Sequence, residues 1–172
     1  VWWQALVEAR HDAGGALGVA AVSAAARQPG LVALDADGKL VAPARVGRDP
    51  DAVPDAQRLE RLLGRFDWVS ACGSVPYDAL TIAKLAQLRR TDPRAFDRIA
   101  WVMQPHDWLT FRLSRRVVTD RGDASSTGYW SPRDGEWRPD LLALVDDDRD
   151  WEACLPVVLE PHEAAGDREG VV

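Results

Sequence analysis

Two aspartates three positions apart, Asp120 and Asp123, flank the short turn Arg121-Gly122 between the apolar runs Val117-Val118 and Ala124. Paired carboxylates at that spacing can divide the labour of acid–base chemistry, one taking a proton and the other helping to hold a cation or fix geometry. The same spacing also makes an Asx turn in which Asp123 caps whatever follows, and that is the commoner use. His106-Asp107, directly after Pro105, sets an imidazole beside a carboxylate, which suits an acid–base or ligand pair. A helix cap is the plainer role for either residue. Lys84 falls near the middle of an expected helix, where its stem can lie along the surface. The eight tryptophans could stack sugar rings, although large aromatic side chains mostly fill cores. Cys72 and Cys154 are too few and too far apart for a disulfide framework or a CxxC metal site, and read as buried small hydrophobes of a reducing compartment. The chain contains no GxxxxGK[ST], no GxGxxG after a strand, no HExxH and no GxSxG.

The elements that must position these groups fit a chain of 172 residues, a one-domain length able to bury a core without metal or disulfide. With 21 basic and 27 acidic residues the net charge is −6, which argues against a nucleic-acid surface and against an anionic membrane surface. The uncharged run Ala16 to Ala26 spans eleven residues, short of the roughly 20 that a membrane-spanning helix needs. No basic segment precedes an apolar one in the manner of a secretory signal, so a cytoplasmic location is expected. The chain opens on Val1 and its one methionine is Met103, so a piece of a longer protein is expected.

Trp2, Trp3, Leu6 and Ala9 recur at helical spacing and predict an amphipathic helix ending near Gly14-Gly15. Val19 to Ala25 reads as a strand buried on both faces. Leu31 to Leu34, the turn Asp35-Ala36-Asp37-Gly38 and Lys39 to Val41 predict a β-hairpin, and residues 45–54 a loop. One helix runs from Pro54 through Leu59, Leu62, Leu63 and Phe66, with Gly64 near its end. A second opens at Ser74 and Pro76 and turns Leu80, Ala83, Leu85 and Leu88 inward; a third, short one is capped by Thr91-Asp92-Pro93, with Phe96 and Ile99 inward. Trp101 to Met103 is a strand, Pro105 to Leu113 a helix, Val117 to Thr119 a strand and Pro139 to Val145 a helix. Ala124 to Trp130 fits strand or early helix equally. Interleaved strands and helices make the class α/β.

Several segments together resemble the xylulokinases, members of the FGGY carbohydrate kinases. They are Ala21-Val22-Ser23, Gln28 to Asp35, Gly73-Ser74-Val75-Pro76, Thr81, Lys84-Leu85, Pro105 to Thr110 and, above all, Thr119 to Pro132. The resemblance implies an RNase-H-like (actin-type ATPase) lobe, incomplete at its N-terminal strands. It makes residues 1–172 a partial FGGY N-terminal domain, without the opening phosphate-binding hairpin or the C-terminal ATP lobe. The implied activity is phosphorylation of D-xylulose to D-xylulose 5-phosphate, with ATP and Mg²⁺ as cofactors bound mainly outside this chain. Asp123 falls on the catalytic base, and Gln28, Pro29, Gly30 and Asp49 fall on sugar-binding positions; no metal ligand is assigned. The family histidine after Gln is replaced by Pro29, and of the Trp-Asn-Asp-Thr-Arg element at Gly47 to Asp51 only Asp49 remains. Gln87 stands where a tryptophan often follows Lys-Leu-x. These departures leave gluconate or ribulose as alternative substrates, and a non-catalytic remnant serving as a binding or oligomerisation module as the alternative function. The isolated chain is expected not to turn over, and the unpaired sheet edge left by missing strands is expected to favour self-association.

Overall fold

The structure is a computed structural model that describes residues 2–14 and 20–166. At its centre lies β1 (Gly30–Leu34), five residues that are all buried. A strand reads this way, without alternation, when both of its faces are covered. It pairs antiparallel with β2 (Arg45–Val46) on one side and with β3 (Trp101–Met103) on the other, in the register Val32 to Met103 and Leu34 to Trp101. The expected hairpin is present: Asp35 N donates to Lys39 O at 2.8 Å, Val41 N donates to Ala33 O at 3.0 Å, and Gly38 takes φ +75° at the turn.

The helices that cover this sheet are started by prolines, whose fixed φ suits a first helical turn and whose missing N–H would find no partner there anyway. The first helix, α1, is Trp2–Asp12; Pro54 then stands in the first turn of α2 (Val53–Leu63), Pro93 opens α5 (Pro93–Asp97), Pro105 opens α6 (Pro105–Ser114) and Pro139 opens α8 (Pro139–Ala143). Asp92 adds a side-chain cap for α5, accepting from Ala95 N at 3.0 Å. Between α2 and α5 lie α3 (Arg65–Cys72) and α4 (Thr81–Thr91), the latter buried continuously from Thr81 to Leu88. A helix buried all round belongs in the middle of a core, and α4 packs against α2, α5 and β1. The main apolar cluster joins Leu59, Trp68, Ile82, Leu85, Phe96, Leu142 and Trp151. Within it the Trp68 indole N–H donates to Leu59 O at 2.9 Å, so the large ring is buried without leaving its polar atom unpaired.

Several expectations are corrected. The expected strand Val19 to Ala25 is not formed: Ala20 to Ala25 are mostly exposed, and Val19 lies outside the described residues. Both edges of β1 are already occupied by β2 and β3, so that segment has no ladder of β1 to join. Residues 45–54 are not all loop: they hold β2 and a 3-10 turn, Pro50–Ala52, capped by the Asp49 carboxylate. The helix from Pro54 does not continue through Phe66. Gly64, at φ +91°, separates α2 from α3, and Phe66 is 83% exposed instead of facing inward. Ser74 and Pro76 do not open a helix, since α4 begins at Thr81 and the preceding turn folds its Asp78 and Ala79 carbonyls onto the Lys84 ammonium.

The ambiguous stretch from Ala124 to Trp130 contains both elements. It begins in α7 (Arg121–Ser125), turns at Gly128 with φ +86°, and enters β5 (Trp130–Ser131). Further strands not anticipated are β6 (Glu136–Trp137), antiparallel to β5, and β7 (Val157–Val158), parallel to β4 (Val118–Thr119). Two-residue strands carry too little pattern to be read from sequence. Among the described residues no helix is long and apolar enough to cross a membrane.

Gly30 is where the sheet meets the α6 start most closely. A Cβ there would lie 2.7 Å from Pro105 Cδ and 3.0 Å from the Arg45 carbonyl oxygen. Gly30→Ala is therefore expected to lower stability by about 1–3 kcal/mol, the usual cost of overpacking. Chemical denaturation of the two proteins, with unchanged slope and a lower midpoint for the variant, is the check.

Candidate functional site

Asp123 sits in the first turn of α7, is 5% exposed, and has its main chain held from three sides. Its N–H donates to Asp120 Oδ1 at 2.9 Å, and its carbonyl accepts from the Gln104 amide and from the Ser126 hydroxyl, the latter at 2.9 Å. Asp120 Oδ1 also accepts from Gly122 N at 2.7 Å. The cap of this turn is thus Asp120, and Asp123 is left with a carboxylate that caps nothing. Of its two oxygens, Oδ2 is 2.8 Å from His106 Nδ1, while Oδ1 is buried without a hydrogen-bond partner. A buried carboxylate oxygen in that state forgoes a bond it would have had in water.

His106 and Asp107 divide between them the two roles the sequence offers. Asp107 caps: with Gln104 it forms a reciprocal capping box at the start of α6, its Oδ2 accepting from Gln104 N at 2.7 Å. His106 instead faces carboxylates, with Nδ1 at 2.8 Å from Asp123, 3.4 Å from Asp107 and 3.6 Å from Asp120. Its ring N–H is not aimed squarely at any one of them, so the contact is a close ion pair shared among three anions. The carboxylates of Asp107 and Asp123 push the imidazole up to about 10, against the opposing effect of burial. Burial pushes the Asp107 carboxyl upward as well.

The residue that sequence reasoning missed is Gln104. Its side chain accepts from Gly30 N at 2.9 Å and donates to Asp123 O and to Ser126 Oγ, the last at 2.6 Å. One amide therefore ties β1 to α7. Its signal was available as a polar residue three places before Asp107 at a strand-to-helix junction, the spacing of a capping box.

Through Gln104 the structure brings Gly30 together with Asp123. Thr81 adds a second tie, donating from Oγ1 to the Gly30 carbonyl at 2.8 Å. Pro29 accepts from Gly47 N at 2.8 Å through its carbonyl, placing it against the 47–51 loop, while Gln28 is exposed. Asp49 is engaged locally: Oδ2 is 2.6 Å from Arg45 Nη1 and Oδ1 accepts from Asp51 N at 3.2 Å. Arg48 reaches Asp78 at 2.7 Å. Lys84 does not lie along a surface; it is fully buried, with Nζ on the Ala79 and Asp78 carbonyls. Burial pulls its ammonium down to about 8, and Asp49 and Asp78 oppose that effect. Cys72 and Cys154 are both buried free thiols. Two concavities, of about 520 Å³ beside Trp130 and Trp137 and about 420 Å³ beside Gln87 and Arg90, are lined by neither His106 nor Asp123.

His106, Asp120 and Asp123 offer ligand atoms within 4.8 Å of one another. They do not suit Mg²⁺, which favours oxygen ligands in near-octahedral array, because one of the three offers an imidazole nitrogen. The arrangement is a buried carboxylate with an imidazole against one of its oxygens.

Because the folded imidazole titrates near 10 and a free one near ~6.5, its pairing stabilises the fold fully below about pH 6.5 and that contribution is lost as pH rises through 10. A His106 imidazole resonance that titrates near 10, and that moves downward in Asp123→Asn, is the expected NMR result.

Comparison with known proteins agrees with this arrangement of elements. Residues 1–169 match the N-terminal domain model of the FGGY family of carbohydrate kinases. The chain is 42% identical over 167 residues to a xylulose kinase of Streptomyces coelicolor and 41% identical over 167 residues to one of Streptomyces rubiginosus. In both cases the match takes in 96% of this chain and 34% of the relative. The crystal structure of a xylulose kinase from Bifidobacterium adolescentis superposes with a TM-score of 0.90 at 32% identity, over 95% of this chain and 40% of that one. The chain thus spans about a third of the length of the curated relatives it matches. It carries the RNase-H-like, actin-type fold of these kinases in part. On the extent of the family match, this chain belongs to the FGGY family of carbohydrate kinases.

Proposed function

We propose that this chain is the sugar-binding part of an ATP-dependent xylulose kinase and that Asp123 is its general base. The observation that carries the reading is the Asp123 carboxylate, buried in a chain of this family with one oxygen against His106 and the other without a partner. The matched relatives named above are xylulose kinases, which points to D-xylulose ahead of gluconate or ribulose.

An alcohol is a poor nucleophile until its proton is removed as the new bond forms. In the proposed step Asp123 Oδ1 takes the proton of the sugar hydroxyl while that oxygen bonds to the γ-phosphorus of ATP. The bond from the γ-phosphorus to the bridging oxygen breaks, and ADP leaves with the electron pair. Phosphoryl transfer asks mainly for in-line positioning and charge neutralisation, so the share of this chain is to hold the acceptor sugar and the base. Gly30 and Asp123 share the Gln104 amide, and Gln28, Pro29 and Asp49 belong to the adjoining β1 and β2 ends where the sugar would lie. No residue here is assigned to the nucleotide or to Mg²⁺.

A second reading, a non-catalytic binding module, is favoured by one observation: both Asp49 oxygens are already taken, by Arg45 and by Asp51 N. A carboxylate so engaged has less capacity left for a sugar hydroxyl. Calorimetric titration with D-xylulose separates the two readings, with D-gluconate and D-ribulose as competitors. Saturable heat is expected for the kinase reading and none for the module. In the whole protein, Asp123→Asn is expected to reduce kcat by about 100-fold or more, the scale of a general base, with sugar affinity changed less than about threefold. A variant that keeps most of its turnover would remove Asp123 from the base role.

A further inference from the structure

Three segments meet at the β1 and β2 ends proposed above for the sugar: the chain at Pro29 and Gly30, the loop 47–51, and the turn 74–80 that leads into α4. Each is tied to the other two. Gly47 N donates to Pro29 O at 2.8 Å, Arg48 Nε donates to Asp78 Oδ2 at 2.7 Å, and Thr81 Oγ1 donates to Gly30 O at 2.8 Å. Pro29 and Gly30 are neighbours in the chain, as are Gly47 and Arg48, so the three bonds close a ring. Two of them end on main-chain carbonyls. The bond from Arg48 to Asp78 depends on side chains at both ends.

This pair differs from an ordinary surface ion pair. Two long exposed side chains gain little from meeting, because water competes and both must be held in one geometry. Here the Arg48 side chain is 75% exposed, but that of Asp78 is 4% exposed. A buried carboxylate that loses its partner keeps its desolvation cost and has nothing to offset it. Asp78 is also held through its main chain, whose carbonyl accepts from the buried Lys84 ammonium at 3.4 Å. The turn is therefore the fixed side of the contact and the loop the side that must follow. The loop moves as one body, since Asp49 engages Arg45 behind it and caps the Pro50–Ala52 turn ahead of it. Fixing Arg48 consequently fixes Asp49.

We infer that Arg48 and Asp78 are a positioning pair that sets the gap between the loop 47–51 and the turn 74–80, and with it the fit of the acceptor sugar. Arg48 lies in the element at Gly47 to Asp51 where, of the Trp-Asn-Asp-Thr-Arg pattern, Asp49 alone remains. The pair gives this rewritten loop an anchor outside itself. Neither residue is assigned a contact with the reacting atoms, so losing the pair acts on sugar affinity and leaves the chemical step largely as it was.

This inference rests on the sugar lying at these ends, and the test keeps the two apart. Initial rates over a range of D-xylulose concentrations, at saturating ATP and Mg²⁺, are measured in the whole protein. The set is wild type, Arg48→Met, Arg48→Lys, Asp78→Leu and the double variant Arg48→Met with Asp78→Leu. A wild type without turnover of D-xylulose removes the function reading, and this inference with it. Given wild-type turnover, Arg48→Met is expected to raise KM about tenfold with kcat within about threefold, the split of an interaction that serves ground and transition state alike. Arg48→Lys, which keeps a cation, is expected to recover most of that loss. Asp78→Leu is expected to raise KM by a similar factor, and the double variant to be no worse than either single one, because the same bond is cut from either end. Arg48→Met at wild-type KM, Arg48→Lys no better than Arg48→Met, or single effects that multiply in the double variant overturn the inference. Should Asp78→Leu fail to fold, the comparison of Arg48→Met with Arg48→Lys decides alone, equal KM values overturning it.

Discussion

The fork of the Gln104 side chain is the contact on which the rest of this site depends. Its oxygen takes the one main-chain N–H at the start of the central strand, and its nitrogen serves the α7 turn twice, at Asp123 O and Ser126 Oγ. The bonds to Gly30 and Asp123 are buried, where an unmade hydrogen bond costs the full desolvation of the group left behind. Gln104 cannot shift without releasing three partners, and its own N–H is held by Asp107. The strand, the α6 start and the α7 turn are consequently one unit. Gly30 belongs to that unit for a steric reason, since Pro105 leaves no room for a side chain above it.

A fully buried lysine and a half-buried histidine lie in a chain of net charge −6, and they are held by different means. Lys84 rests on main-chain carbonyls, dipoles without net charge, with Asp49 and Asp78 near enough to oppose its desolvation. Its ammonium consequently sits below its ordinary range. His106 rests on full negative charges and moves the other way. Desolvation acts in the same direction on both, so the sign of the outcome is decided by the neighbours. Lys84 thereby shapes the turn before α4, and the His106 imidazole is shared among the Asp107, Asp120 and Asp123 carboxylates. The first is an element of the fold, the second an element of the candidate site.

Much of the fold was legible because its boundaries are drawn by prolines and glycines, whose backbone restrictions act locally. Pro93, Pro105 and Pro139 mark helix starts that the structure keeps, and the Asp35 to Gly38 turn is where its residue types put it. What was not legible was set by partners distant in sequence. Ala20 to Ala25 have the composition of a buried strand, but β1 spends both of its edges on β2 and β3. Phe66 has the spacing of an inward residue, but Gly64 resets the helix phase and turns it outward. In the candidate site, Asp123 is singled out through the family resemblance, because as a pattern Asp-x-x-Asp is a turn. The capping role of Gln104 has a local signal in its spacing from Asp107, but its bridge does not, because nothing local announces that an amide will reach a residue 74 positions before it.

The division of labour between the two aspartates of that turn follows from the same geometry. A carboxylate can cap main-chain N–H groups or remain free to take a proton, and one that caps is a poorer base for it. Asp120 spends one oxygen on two N–H groups and lies 55% exposed, where water competes for the other. Asp123, three residues on, is carried by the helical turn to the buried side, where, among the described residues, the positively chargeable group in reach is the His106 ring at the start of the neighbouring helix. The cap thus does more than start α7. It relieves Asp123 of the capping role and sets the direction in which its carboxylate enters the interior. A turn of five helical residues is enough, because Gln104 and Ser126 hold its far end. The setting of the Asp123 carboxylate therefore depends less on the length or propensity of α7 than on the neutral and charged groups that the start of α6 presents to it.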